Sequence, residues 1–128
     1  DHRDLHSFPT RRSSDLNQEP GQDIGEAYLG DALLSIVNYA EVASNLGRRH
    51  LSAAVLRKTL ESFDRNVVPM DKETALLTGA LTSKTKQHGL SLGDRACLAL
   101  GIAKNLPVLT ADRAWADVEL PVEVKLIR

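Results

Sequence analysis

The chain has little of several features that would mark a functional class. It contains one cysteine, Cys97, in 128 residues, which excludes an internal disulfide and a zinc site built from several cysteines. No apolar run approaches the roughly 18 residues of a membrane-spanning helix, and no secretory h-region is found. The 16 lysines and arginines balance 17 acidic residues, so any attraction for nucleic acid must be local. We therefore expect a soluble, cytoplasmic protein with no membrane partner.

The first 16 residues, DHRDLHSFPTRRSSDL, follow neither the period of a strand nor that of a helix. Back-translated, they look like the adapter ligated to fragments for short-read DNA sequencing. We interpret residues 1–16 as an artefact that stands in place of the natural N-terminus, and exclude them as one excludes a tag. We expect residues 17–128 to form one domain, and functional residues of the natural N-terminus to be missing.

From Asn17 onward the pattern alternates between helices and strands, which favours an α/β layer structure over a helical bundle. A turn at Pro20-Gly21 precedes a short helical segment. The last strand alternates apolar and polar residues, so we expect it at a sheet edge. The pattern predicts strands over 32–37, 66–70, 107–110 and 122–126, and helices over 22–30, 38–46, 52–63, 71–87 and 91–104.

Three carboxylates stand at equivalent places, each after a predicted strand or loop and in the first turn of the next element. They are Glu41 in NYAE, Asp94 in SLGD and Asp112 in LTAD. In a parallel sheet, strand ends and the helix starts after them share the edge where ligands bind. Carboxylates that converge there repel one another unless a cation joins them, and their hard oxygens suit magnesium or manganese. The pattern is consistent with metal-assisted hydrolysis of a phosphodiester.

Helix capping explains the same residues without any metal. Asn38-x-x-Glu41 and Ser91-x-x-Asp94 both have the spacing of a capping box, in which side chains satisfy the first amides of a helix. Asp112 fits a cap for the turn before Arg113. Spacing alone leaves both interpretations open.

Two segments carry a resemblance to a known family. LSLGDRACLAL at 90–100 and LPVLTADRAW at 106–115 are similar to motifs of PIN-domain proteins, above all the VapC-type toxins of prokaryotic toxin–antitoxin pairs. SIVNYAEV at 35–42 and NQEPG at 17–21 agree with this resemblance, which extends over residues 17–128. It implies a three-layer α/β/α fold with a mainly parallel sheet.

The resemblance also implies a metal site. Carried over by motif, Glu41, Asp94 and Asp112 would join an N-terminal aspartate in holding magnesium, or alternatively manganese, with Asp117 as an auxiliary acidic residue. Adapter sequence stands where that aspartate and the central first strand of the sheet should be. We therefore expect the domain to lack this strand, and the chain as given to fold poorly or to bind metal weakly.

The function implied is that of a magnesium-dependent endoribonuclease, the toxin of a type II toxin–antitoxin system. Its expected partners are RNA, a cognate antitoxin and a second copy of the chain. Arg95 and Arg113 each come directly after a candidate ligand, where they would contact substrate phosphates or form salt bridges with neighbouring carboxylates. The alternative is a non-catalytic PIN-like scaffold that binds protein or RNA and whose carboxylates are only caps.

Overall fold

Helices and short parallel strands alternate along the chain. The structure, a computed structural model, describes residues 5–6, 33–110 and 112–126, so the predicted turn at 20–21 and helix over 22–30 lie outside it. The strands are β1 (Leu5–His6), β2 (Leu34–Ser35), β3 (Val67–Val68), β4 (Val108–Thr110) and β5 (Val124–Leu126). The helices are α1 (Ile36–Gly47), α2 (Ala53–Leu60), α3 (Lys72–Ala80), α4 (Thr82–Thr85) and α5 (Leu92–Lys104). Three 3-10 segments span Glu61–Asn66, Lys86–His88 and Arg113–Asp117.

Helix boundaries agree with the capping residues of the sequence. The side chains of Ser52 and Asp71 accept hydrogen bonds from the third amide of α2 and α3, and Ser91 does the same for α5. Gly89 has a φ of 64°, the left-handed conformation that ends a helix at low steric cost for glycine. The starts of α2, α3 and α5 and the helix end at Gly89 are therefore confirmed at the positions that the sequence predicts.

The beginning of α1 differs from the prediction. The pattern places a strand through Val37 and a capping box at Asn38, whereas α1 begins at Ile36 and Ser35 is its N-cap. The Ser35 hydroxyl accepts from the Val37 amide at 3.1 Å. This cap satisfies a first-turn amide and outweighs the strand preference of two β-branched residues. Asn38 is therefore inside the helix, and the capping box predicted at Asn38-x-x-Glu41 is wrong.

The paired strands form a parallel arrangement. β4 lies between β1 and β5, β2 pairs with β3, and all three pairings are parallel. β5 is at the edge of its sheet, as the alternating pattern predicts. With helices between successive parallel strands, the chain has the predicted three-layer α/β/α fold.

β1 lies in the segment that the sequence places outside the domain. Leu5 and His6 pair with Val108 and Leu109, and β1 also contacts β2. In this respect the structure differs from the expectation of a missing first strand. The two residues of β1 pair with β4, and without them the backbone groups on that side of β4 would be unpaired. The rest of residues 1–16 lies outside the described residues, and the domain boundary before Asn17 stays a prediction.

Helix α5 forms the centre of the larger core. Its residues Ala96 to Leu100 are buried, with Cys97 only 1% exposed, which agrees with an inert core thiol. Trp115, also 1% exposed, packs into the same core. A smaller cluster joins α1 to α2 through Val42, Leu46 and Leu60. Among the described residues, no helix is long and apolar enough to cross a membrane.

Candidate functional site

Glu41 reaches from α1 to the first turn of α5. Its Oε1 accepts a hydrogen bond from Nδ2 of Asn38 at 3.2 Å, and the same Nδ2 donates to the Gly93 carbonyl at 3.1 Å. The Glu41 carboxylate lies directly against Gly93, where a Cβ would come within 2.6 Å of Oε2 and closer still to Oε1. The structure therefore places Glu41 beside the residue that precedes Asp94, although α1 and α5 are far apart in sequence.

Asp94 occupies the third position of α5 and completes a capping box. Its Oδ2 accepts from the Ser91 amide at 3.0 Å, and its own amide donates to the Ser91 hydroxyl at 3.2 Å. The box predicted at Ser91-x-x-Asp94 is thus confirmed. Its half-buried carboxylate lies at the positive end of the α5 dipole, which favours anionic groups.

Asp112 comes after β4 and begins the Arg113–Asp117 segment. Its Oδ1 accepts from the Ala114 amide at 3.0 Å, and its amide donates to the Thr110 hydroxyl at 3.0 Å. Asp112 therefore caps this turn, as the second interpretation of the sequence predicts. Asp117, at the end of the segment, is exposed.

The four acidic residues are not gathered into one compact cluster. Over residues 5–6, 33–110 and 112–126, no group of three or more acidic, histidine or cysteine side chains is arranged to hold a metal ion. The structure brings Glu41 close to the turn that carries Asp94, and it places Asp112 at the end of the central strand β4. The metal-binding roles of Glu41, Asp94, Asp112 and Asp117 stay predictions.

The donor chemistry nevertheless fits a hard divalent cation. Oε1 of Glu41 accepts from a side-chain amide. Asp94 uses Oδ2 and Asp112 uses Oδ1 to cap a helix start. A carboxylate has two oxygens and about four acceptor sites, so capping and metal coordination are compatible for one side chain. Magnesium and manganese prefer such oxygen ligands and retain several waters.

The two candidate substrate-binding arginines have different surroundings. Nη1 of Arg95 donates to the Thr78 carbonyl at 2.9 Å and to the Thr82 hydroxyl at 3.0 Å, so Arg95 ties α5 to α3 and α4. Arg113 is exposed, one residue after Asp112. Of the two, Arg113 has the better access to a phosphate, and Arg95 already has a structural role.

Asn38 is the residue of this site that the sequence did not identify. The pattern assigned it a capping role, whereas it is 0% exposed and bonded to both Glu41 and Gly93. Its distance from Glu41 along the sequence could have identified it, because a residue three positions before Glu41 lies on the same helix face.

Comparisons with known proteins agree with this fold. Parallel strands and interleaved helices define an α/β domain in which Asp94 lies at the start of α5 and Asp112 follows β4. Residues 15–120 match the PIN domain family. The chain belongs to the PIN-domain family. No curated protein matches it in sequence.

Solved structures with a similar fold include a toxin–antitoxin complex and two Fit proteins. A toxin–antitoxin complex from Klebsiella pneumoniae has a TM-score of 0.65 at 19% identity, over 94% of this chain and 98% of that one. FitAcB from Neisseria gonorrhoeae has a TM-score of 0.62 at 22% identity, over 96% of each chain. FitAB bound to an IR36 DNA fragment has a TM-score of 0.64 at 22% identity, over 96% of this chain and 94% of that one. At these identities the likeness shows a shared fold.

Proposed function

We propose that this protein is a magnesium-dependent endoribonuclease, the toxin of a type II toxin–antitoxin system. Family membership supports the proposal, since PIN domains are generally nucleases. The observation that carries it is the contact of the Glu41 carboxylate with the first turn of α5, which bears Asp94. Packing of apolar side chains does not explain this contact, which brings an acidic side chain of α1 against the turn of α5 that bears Asp94.

In the proposed reaction, Glu41, Asp94 and Asp112 hold the ion, and Asp117 assists. A bound magnesium ion would supply a Lewis acid for the phosphoryl oxygen and lower the pKa of a water ligand. The α5 helix start keeps Asp94 in place through its capping box. Thr110 fixes the Asp112 backbone through its hydroxyl. The chain's own contribution is therefore to fix the acidic groups before the substrate arrives.

Arg113 is the proposed contact to an RNA phosphate, with Arg95 as a second, more restrained cation. Exposed arginines form charge-assisted hydrogen bonds with phosphate oxygens. One of the similar structures is a toxin–antitoxin complex, which supports an antitoxin as partner, and we propose a homodimer as the functional unit.

A non-catalytic scaffold is the second candidate function. The hydrogen bonds of Asp94 and Asp112 to helix-start amides favour it, because capping alone gives both residues a role. On this alternative, removal of either carboxylate would alter stability and no activity would depend on metal.

Replacing Asp94 with asparagine separates the two candidates. Because the missing N-terminal aspartate is expected to weaken metal binding, we expect the full chain to cleave single-stranded RNA slowly with added magnesium and not with a chelator. Asp94→Asn should lower that rate by more than about tenfold, since removing even an indirect partner of a metal ligand changes affinity by 10–100-fold. Asp71→Asn is the matched control, because Asp71 caps α3 as Asp94 helps to cap α5. Equal magnesium-dependent cleavage by Asp94→Asn would contradict the nuclease, and no cleavage by the unsubstituted chain would contradict activity of the chain without the N-terminal aspartate.

A further inference from the structure

Asn38 is a fully buried polar side chain on α1, close to apolar residues that pack into the core. It is 0% exposed, and its neighbours on α1, Val42 and Leu46, belong to a hydrophobic cluster. Buried amides are unfavourable unless they are hydrogen-bonded. A reason other than core packing is therefore needed for an asparagine here.

Its hydrogen bonds are directed at one side chain and one distant backbone group. Nδ2 donates to Oε1 of Glu41 and to the carbonyl of Gly93, 55 residues away. Both partners are acceptors, which fixes the orientation of the amide. The buried Oδ1 has no hydrogen-bond partner in the part of the chain that the structure describes. Within the described residues, Oδ1 of Asn38 is thus an unsatisfied acceptor, whereas Nδ2 donates to Glu41 and Gly93. The stabilising contribution of this side chain therefore comes from its Nδ2 hydrogen bonds.

Two other buried polar side chains bond differently. The hydroxyls of Thr78 and Thr85 donate to carbonyls four residues earlier in the chain, both at 2.8 Å. Such local bonds satisfy the side chain and position nothing else. Asn38 instead links two helices and a carboxylate.

Gly93 limits the position of Glu41 from the other side. A side chain at Gly93 would overlap the Glu41 carboxylate, so Glu41 would have to move from this position. Gly79, a helical glycine of α3, has nothing within 4 Å of the same position. The missing side chain at Gly93 thus lets the carboxylate lie against the backbone of α5.

We propose that Asn38 and Gly93 are positioning residues that together hold the Glu41 carboxylate at the start of α5, where it would serve as one ligand of a divalent cation. The cation-binding part of this inference rests on the proposed function. The hydrogen bond from Asn38 to Glu41 does not, because it joins two side chains of the chain itself.

The first test measures that bond without metal or substrate. In nitrogen-15 NMR of the full chain, the two Asn38 side-chain protons should exchange with solvent more slowly than those of the exposed Asn105. Glu41→Ala should shift the proton that faces Oε1 and speed its exchange, while the proton bonded to the Gly93 carbonyl changes little. If Glu41→Ala leaves both Asn38 signals unchanged, the positioning role is overturned.

The second test measures manganese binding, monitored by electron paramagnetic resonance of the free ion. We expect Asn38→Leu and Gly93→Ala each to weaken binding by about 10- to 100-fold, the usual effect of losing a group that orients a metal ligand. Asn45→Leu is the control for the first variant, since Asn45 is also buried in α1, at 5% exposure, and bonds to Arg48. Gly79→Ala is the control for the second.

The outcomes separate the two proposals. If the unsubstituted chain binds manganese and the Asn38 and Gly93 variants match their controls, the positioning role is overturned and the nuclease proposal stands. If the unsubstituted chain binds no manganese, the metal site fails, and the NMR result alone decides whether Asn38 holds Glu41. Circular dichroism verifies that each variant is folded. Because Gly93→Ala leaves the Asn38 side chain unaltered, loss of fold in one variant leaves the other decisive.

Discussion

Gly101 shows how closely α5 packs against the central strand. A Cβ at this position would lie 2.6 Å from Cγ2 of Val108, 3.0 Å from Cγ2 of Val122 and 3.1 Å from the Leu106 carbonyl oxygen. Since these neighbours belong to the core, Gly101→Ala should destabilise the protein by about 1–3 kcal/mol, the usual effect of overpacking. Urea denaturation of the full chain measures this difference.

Gly79→Ala is the comparison within the same fold and should have the opposite sign. Gly79 lies in α3 with open space around its Cα, so alanine adds no clash and reduces the freedom of the unfolded chain. We expect stabilisation of about 0.4–1 kcal/mol. A stabilising Gly101→Ala would mean that α5 and β4 are less closely packed than the structure has them.

The individual side-chain contacts of the site were the part that the sequence predicted least well. Asp94 and Asp112 could be placed by local spacing, because their caps involve amides two or three residues away. The contact of Glu41 with Gly93 could not, because it depends on how α1 packs against α5. Asn38 was misassigned for the same reason, since its second partner is 55 residues away.

At the scale of elements, capping residues made the helices predictable and strand preference did not fix the strand bounds. Ser52, Asp71, Ser91 and Gly89 mark boundaries that the sequence predicts. The helix predicted from Asp71 to Gln87 is divided at Leu81, whose side chain is buried in the main core. The packing of Leu81 in the core depends on residues distant in sequence, so a local pattern could not predict it.

The start of α5 gives a prediction about helix capping. Ser91→Ala removes the hydroxyl that accepts from the Asp94 amide and leaves the Asp94 carboxylate in place. We expect a loss of about 1 kcal/mol, typical of an N-cap serine. Thermal unfolding measures it, with Ser83→Ala as control, because Ser83 is exposed within α4 and caps no helix. If both variants melt alike, the capping box contributes nothing to stability.

The start of α3 gives a prediction about pH. Hydrogen bonds from Thr74, together with the charge of Lys104, lower the pKa of Asp71 from its usual value. A carboxyl whose pKa is lower in the folded state contributes stability above its unfolded pKa, and that contribution disappears as pH falls through the folded pKa.

Asp71→Asn should therefore melt below the unsubstituted chain near neutral pH and approach it as the solution becomes acidic. Melting temperatures of both proteins between about pH 6 and about pH 2 give the comparison. A difference that stays constant over this range would show that the Asp71 charge is not what stabilises the helix start.

At the scale of the whole molecule, the near balance of charge determines how RNA would be attracted. With a formal net charge of −1, the chain has no general field for a polyanion. Binding that depends on a few arginines should have a shallow dependence on salt, because each phosphate contact to single-stranded nucleic acid contributes about −0.7 to the slope of log K against log salt concentration.

Arg113→Ala should therefore weaken binding of single-stranded RNA and make that slope less negative by about 0.7, corresponding to one lost phosphate contact. Arg57→Ala is the matched control, because Arg57 is equally an exposed arginine but lies on α2, outside the candidate site. Fluorescence anisotropy with a labelled oligonucleotide, with chelator present to prevent cleavage, yields both slopes. Equal slopes for the two variants would show that Arg113 does not contact RNA. A contact made at the candidate site should depend on the arginine beside Asp112 and not on one in a different helix.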